Sequence, residues 1–153
     1  MLNEIALVAF VAMLPVSELR GAIPLGISLG LPLEYVIIVS LFANCLAFFP
    51  IYFGLELLYE RFFIRYLFCR NLMEKSRKRV EPYISRYGII GLAVFIGIPL
   101  PVTGVWTGTI VAWVLGLDWK KSFLAVCLGV LMAAAIVSMV VLGFLAGLGF
   151  VLG

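Results

Sequence analysis

Two long apolar stretches are the strongest pattern in this sequence. They cover residues 33–58 and 120–149, and within them residues 35–55 and 122–149 carry no Asp, Glu, Lys or Arg. At about 1.5 Å per residue, each helix would be long enough to cross a hydrocarbon core of about 30 Å. Each stretch therefore predicts one transmembrane helix.

Four shorter apolar segments precede the long ones in pairs. The first pair covers residues 4–14 and 17–29, and the second covers residues 88–98 and 103–115. Helices of this length extend roughly 16–20 Å, which is too short to cross the bilayer. We therefore expect each pair to form a re-entrant helical hairpin that enters the membrane and returns to the same side.

Proline and glycine mark the points where these hairpins are expected to break. Proline removes a backbone donor and displaces the preceding residue from helical geometry, which leaves polar backbone groups free near the middle of the membrane. Such groups are tolerated only when they are buried in protein or line a wet cavity. The residues assigned to the structural breaks are Pro15, Gly21, Pro24, Pro99, Pro101 and Gly104.

The two halves of the chain share an internal repeat at an offset of 86 residues. This register aligns LPVS at residues 14–17 with LPVT at residues 100–103. Without a gap, it also aligns LGL at residues 29–31 with the same letters at residues 115–117. Because the proline break and the glycine turn coincide in one register, we interpret the halves as repeats of one unit.

The predicted fold is an all-α integral membrane protein with a single membrane domain, residues 1–153. Repeat 1 covers about residues 1–58 and repeat 2 about residues 88–153, each a re-entrant hairpin plus one transmembrane helix. A basic amphipathic segment, residues 59–87, joins them. One crossing per repeat makes the hairpins enter from opposite faces, which predicts an inverted arrangement.

Charge predicts the orientation of this domain. Residues 60–86 contain eight basic and three acidic side chains, a net charge of +5. Positive segments next to transmembrane helices tend to stay in the cytoplasm. We therefore expect a multi-pass protein of the cell (inner) membrane whose basic linker is cytoplasmic.

Composition excludes several classes of function. Apolar residues make up 65% of the chain, charged residues only 12%, and the mean hydropathy is +1.22. Eight of the eleven basic residues lie in the linker and are not spread as a nucleic-acid patch would be, so we expect no nucleic-acid partner. There is no histidine, and the three widely spaced cysteines suggest neither a disulfide framework nor a metal cluster. We expect no metal, no cofactor and no enzymatic activity.

Glu18 and Arg20 are the most informative pair of residues in the chain. They lie at the first break, between two uncharged apolar runs, where an ionisable group costs several kcal/mol unless it is paired or hydrated. Residues two apart on a helix do not face each other, so the pair requires a broken backbone or separate partners. We interpret Glu18 as a proton or cation carrier and Arg20 as its counter-charge. A buried ion pair that braces the hairpin is the structural alternative.

Three further residues complete the predicted substrate and proton site. Ser17 and Thr103 each follow a Pro-Val step and are expected to cap the helices that begin there. Trp106 occupies the position that matches Arg20 and would provide an aromatic wall. Asn44, in the first long stretch, can hydrogen-bond to a hairpin or act as a packing contact.

The motif at the first break carries a resemblance to a known family. The segment PVSELRGAIPLG at residues 15–26, with GLP at residues 30–32 and PLPVTG at residues 99–104, resembles the small multidrug export protein family. That family is more distantly similar to the DedA membrane proteins. The resemblance covers essentially the whole chain and implies an inner-membrane exporter with two opposed re-entrant hairpins.

Three functions stay open from the sequence. The first is a secondary transporter that exports small, drug-like and cationic molecules, coupled to protons through Glu18. The second, implied by the DedA likeness, is a flippase of phosphate-bearing lipids, although the second break lacks the arginines expected there. The third is a non-transporting membrane scaffold or subunit. Two crossings make a thin wall, so we expect a homo-oligomer in contact with membrane lipids.

Overall fold

The computed structural model describes residues 2–59, 61, 88–99 and 103–152. The basic linker, apart from its residues 59 and 61, lies outside this range, as does the predicted break residue Pro101. Every regular element in the described part of the chain is a helix. The helices are α1 (Leu2–Met13), α2 (Glu18–Ser28), α3 (Leu33–Leu58), α4 (Gly88–Gly97), α5 (Val105–Val114) and α6 (Trp119–Leu152).

Two of these helices, α3 and α6, are long and apolar enough to cross a membrane. In each, only part of the surface is buried inside the protein, and large apolar side chains such as Phe42 and Met139 are exposed. An apolar outer surface is what contact with lipid tails requires. The predicted all-helical fold is therefore confirmed, and α3 and α6 are its two candidate membrane spans.

The four short helices pack against the long ones. Helices α1 and α2 contact each other and α3, and α5 contacts both α3 and α6. Helix α4 lies against α5 and α6, and its Ile96 side chain packs directly on Gly108 of α5 and Gly129 of α6. The buried core is thus formed where the short helices meet the inner faces of α3 and α6.

Two turns with the same hydrogen bonds lead into the long helices. At the end of α2, the Leu31 N–H donates to the Gly26 carbonyl at 3.1 Å, and Gly30 has a positive φ of 75°. At the end of α5, the Leu117 N–H donates to the Ala112 carbonyl at 3.0 Å. The glycine there, 86 residues after Gly30, has a φ of 74°. Only glycine adopts this left-handed conformation without strain, so glycine ends both helices.

The structure corrects two of the predicted breaks. Pro15 and Pro99 lie in the chain between helices, as predicted, and Gly104 directly precedes α5. Gly21 and Pro24, however, lie inside α2. A proline at this point prevents only one helical hydrogen bond, the one to the carbonyl four residues earlier, and the helix continues through it.

A groove of about 360 Å³ runs between α3 and α6 and is lined only by apolar side chains and two cysteines. Cys45 and Cys127 face each other there, with their thiols within hydrogen-bonding reach. Both are free thiols. The spacing of the cysteines in the sequence gave no indication of this contact, because the two residues are brought together only by the packing of α3 on α6.

Candidate functional site

Glu18 lies at the junction of the two halves. It is the first residue of α2, only 6% exposed, and its carboxylate accepts a hydrogen bond of 3.2 Å from the backbone N–H of Trp106. Its backbone has a positive φ of 46°, a conformation that costs a non-glycine residue about 1–3 kcal/mol. The surrounding structure maintains this strained backbone conformation, which directs the carboxylate toward the start of α5.

Gly104 makes this approach possible. A Cβ atom at this position would overlap the Glu18 carboxylate, so any other residue would push the carboxylate away from α5. The backbone of Gly104 is extended, which any residue can adopt, and the reason for glycine is therefore space alone. The carboxylate of one half thus fits into a gap left by the missing side chain of the other.

Arg20 reaches across to the second break. Its Nη2 atom donates to the Thr103 carbonyl, to the Thr103 hydroxyl at 3.1 Å and to the Ile98 carbonyl at 3.3 Å. Ile98 follows the last turn of α4, so the guanidinium interacts with the carbonyl end of that helix. A positive charge is favourable there because the helix dipole is negative at its C-terminal end.

The charges of Glu18 and Arg20 therefore act on two different helix ends. Glu18 places its negative charge at the N-terminal end of α5, where unpaired N–H groups and the helix dipole favour an anion. Arg20 places its positive charge at the C-terminal end of α4. This answers the question left by the sequence, since each side chain has its own partners in the second half.

Trp106 makes the reverse contact, from the second half to the first. Its indole Nε1 donates to the Met13 carbonyl at 3.0 Å, at the end of α1. Trp106 is the position that matches Arg20 in the repeat register, and both side chains donate to the carbonyl end of the short helix in the opposite half. The two breaks therefore bind each other through matched contacts in both directions.

The expectation that Ser17 and Thr103 cap helices through their side chains is wrong. Ser17 precedes α2 but makes no side-chain capping bond. Gly104, not Thr103, is the residue directly before α5. The Thr103 hydroxyl donates instead to the Ile98 carbonyl at 2.5 Å. The hydroxyl of Thr103 thus closes the break between α4 and α5 rather than starting α5.

Helix α3 carries two buried polar residues. Ser40 and Asn44 are 0% exposed, and no hydrogen-bond partner is found for the Ser40 hydroxyl or for either polar atom of the Asn44 amide. The sequence left Asn44 open as a hydrogen-bonding contact to a hairpin or a packing contact, and Ser40 was not singled out. The signal in the sequence is the spacing of four, which places both on one face of an otherwise apolar helix.

The side chains of the described residues offer no evident metal centre. No three His, Cys, Asp or Glu side chains come together within the described part of the chain. The chemistry available at the junction is that of one carboxylate, one guanidinium, an indole and the Thr103 hydroxyl. These groups can bind a charged or hydrogen-bonding molecule and can exchange a proton at Glu18.

Two helices are long and apolar enough to cross a membrane, and the carboxylate of Glu18 is buried among the short helices packed against them. The chain belongs to the family described as "Putative small multi-drug export protein", whose model matches residues 18–136. The match begins at Glu18 and includes all of α3 and the first 18 of the 34 residues of α6. The predicted family resemblance is thereby confirmed, while the likeness to the DedA proteins stays a prediction.

No curated protein and no solved structure matches the chain.

Proposed function

We propose that this protein exports small hydrophobic cations across the cell (inner) membrane in exchange for protons. The observation that carries the proposal is the Glu18 carboxylate, which is buried in an apolar protein and held where the two breaks meet. An ionisable residue at that depth is costly and is a functional residue by default. The family description supports an export role.

The proposed topology is an inverted repeat with two re-entrant hairpins. The identical turns 86 residues apart support the repeat, as do the matched contacts of Arg20 and Trp106. Helices of 10 to 12 residues support the hairpins, since they extend only about 15–18 Å. With the basic linker in the cytoplasm, the hairpins enter from opposite sides and their breaks meet near the middle of the membrane.

The exchange takes place at the Glu18 carboxylate. A bound cation and a bound proton compete for the same negative charge, so release of one accompanies binding of the other and net charge in the site is kept. Protonation also removes the charge that interacts with the start of α5. The strength of the contact between α2 and α5 therefore depends on whether Glu18 binds a proton or a cation. This dependence links the exchange to movement of one hairpin against the other.

The hydrogen bonds at the junction favour a cation over the phosphate group of a lipid. Two of the donors that a phosphate would use, Nη2 of Arg20 and the backbone N–H of Trp106, are already engaged within the protein. Arg20 donates to the carbonyls of Ile98 and Thr103, and the start of α5 receives the Glu18 carboxylate. A phosphate would have to displace these acceptors, whereas a cation adds to the carboxylate.

The proposed assembly is at least a homodimer. Two spanning helices and two short hairpins form a thin wall around a transport path, and an apolar groove lies open between α3 and α6. A second copy of the chain would thicken the wall, and membrane lipids would cover the rest of the apolar surface.

The test is the internal pH of proteoliposomes that carry an imposed proton gradient. Tetraphenylphosphonium added outside should drive proton movement through the native protein and not through Glu18→Gln. Glu34→Gln is the matched control, because Glu34 is an exposed carboxylate in the first turn of α3. Equal proton movement in Glu18→Gln would refute the proposal. Movement of a phosphate-bearing lipid without any cation effect would favour the flippase.

A further inference from the structure

Ser40 and Asn44 are anomalous as packing residues. Their three side-chain polar atoms are buried and have no hydrogen-bond partner. A buried polar group without a partner destabilises a protein, and nearly all such groups in native structures are satisfied. Two of them, one turn apart on the same helix, therefore call for a ligand that is bound during the working cycle.

The packing of α2 on α3 sets the depth of this pair. Gly26 of α2 lies directly against the Val36 side chain of α3, and the two helices run in opposite directions from the turn between them. Glu18 precedes Gly26 by eight residues, and Asn44 follows Val36 by eight. Eight residues of helix rise about 12 Å in each case, so Glu18 and Asn44 lie at the same depth.

The direction of Asn44 follows from its neighbours on α3. Val36 marks the side of α3 that meets α2, and Phe48 marks the side that meets α6, because its ring lies 5.4 Å from that of Phe123. At 3.6 residues per turn, Asn44 lies about 80° and Phe48 about 120° around the helix from Val36. Asn44 therefore lies on the part of the α3 surface between the side that meets α2 and the side that meets α6, at the depth where α2 begins with Glu18.

The second half shows that the fold does not need polar groups here. The positions 86 residues after Ser40 and Asn44 are Val126 and Val130, and both are fully buried. Helix α6 thus packs with valine where α3 has a hydroxyl and an amide. The polar pair is a feature of one half only, as is the carboxylate of Glu18.

We propose that Ser40 and Asn44 are ligand-binding residues that complete the site at Glu18 and select primary ammonium groups. This inference rests on the proposed export of cations and names its substrate class. A primary ammonium has three N–H donors. The Glu18 carboxylate, the Asn44 Oδ1 atom and the Ser40 Oγ atom supply three acceptors, one of them charged. A quaternary ammonium has the same charge but no donor, and it leaves the α3 pair unsatisfied.

The experiment compares two probes of equal charge, benzylammonium and benzyltrimethylammonium, on purified protein in lipid nanodiscs. Calorimetry gives the affinities, and thermal unfolding without a probe gives Tm. The variants are Asn44→Leu, which keeps the branched shape, and Ser40→Ala. Thr109→Val is the matched control, because the Thr109 hydroxyl is equally buried but donates to the Val105 carbonyl at 2.6 Å.

We expect the native protein to prefer benzylammonium by about tenfold or more, the effect of a hydrogen bond to a charged group. Asn44→Leu should remove that preference by weakening benzylammonium binding alone. It should also raise Tm by about 2–4 °C, because it removes a buried unpaired amide. Thr109→Val should leave the preference unchanged and should not raise Tm.

Two results would overturn the inference. Asn44→Leu and Ser40→Ala could both lower Tm without changing the preference, which would make the pair structural. The native protein could also bind both probes equally. In either case, the proposed function would still be supported if the Glu18→Gln variant no longer bound either probe. If neither probe bound the native protein, the inference and the proposed function would both fail.

Discussion

The two halves of this protein have matching turns but differ in chemistry. Their turns carry the same hydrogen bonds at positions 86 residues apart, and their short helices end at matched contacts. The charged groups at the junction, however, come from the first half, as do the two unpartnered polar side chains of α3. Glu18, Arg20, Ser40 and Asn44 have as their counterparts Gly104, Trp106, Val126 and Val130.

This difference shows how one site can be made from two similar units. The first half supplies the charges, and the second half supplies what those charges need, namely the start of α5, the end of α4 and the space at Gly104. Two identical halves would place two carboxylates at the same point, where they would repel each other. In the proposed function, asymmetry at a few positions therefore leaves a single carboxylate for exchange.

The fit between Glu18 and Gly104 should give the largest effect on stability. Gly104→Ala places a Cβ atom where the carboxylate lies, and we expect a loss of about 2–3 kcal/mol in the free energy of unfolding. Thermal unfolding in detergent checks this. Gly91→Ala is the control, because a Cβ atom there meets open space. The double variant Glu18→Ala, Gly104→Ala should recover part of the loss, and simple addition of the two losses would contradict the fit.

Removing the charge of Arg20 should have the next largest effect. Arg20→Met leaves the carbonyls of Ile98 and Thr103 without their charged donor, and we expect a loss of about 2 kcal/mol. Arg20→Lys should lose less because it keeps the charge. Unfolding midpoints measure both variants, with Lys121→Met at the exposed start of α6 as the control. A loss no larger than that of the control would mean that the contact across the breaks is weak.

The two glycine turns test whether the halves share one framework. Gly30 and Gly116 both have φ near 75°, so an alanine at either position should destabilise the protein by about 1–2 kcal/mol. Gly54→Ala, inside α3 with open space around it, should have the opposite sign. Thermal unfolding of the three variants measures these changes in stability. Clearly unequal losses at the two turns would argue against equivalent roles.

The indole of Trp106 should give the smallest effect. Trp106→Phe keeps the ring and removes the N–H that donates to the Met13 carbonyl, for a loss of about 1 kcal/mol. Trp119→Phe is the control, because this partly exposed indole packs against the ring of Phe53. Comparison of the two unfolding midpoints measures the bond. A stability equal to that of the native protein would show that the first half does not depend on this donor.

The helices could largely be predicted from the sequence because apolar length and proline position determine them. The predicted bounds of α3 agree with the structure, while α5 begins two residues later than predicted. The later start has a physical reason, since the close approach of Glu18 requires Gly104 to precede the helix. The break assigned to Pro24 is wrong because local backbone rules overestimated the effect of one missing hydrogen bond in a packed helix.

The partners within the candidate site could not be predicted in the same way. Glu18 and Arg20 could be singled out, because charge inside an apolar stretch is visible in the sequence. Their partners at Trp106 and Thr103 lie more than 80 residues away and depend on how the two breaks meet. Ser40 was missed because a lone serine in an apolar helix is common and only its complete burial makes it unusual.

The most direct test of exchange at Glu18 is the affinity for tetraphenylphosphonium as a function of pH. If proton and cation compete for one carboxylate, the affinity of the native protein should fall by up to about tenfold per pH unit on acidification. Glu18→Gln should bind weakly and without this dependence, and the exposed control Glu34→Gln should behave as the native protein. A native affinity that is independent of pH between about 5 and 9, or a pH dependence kept in Glu18→Gln, would contradict the account.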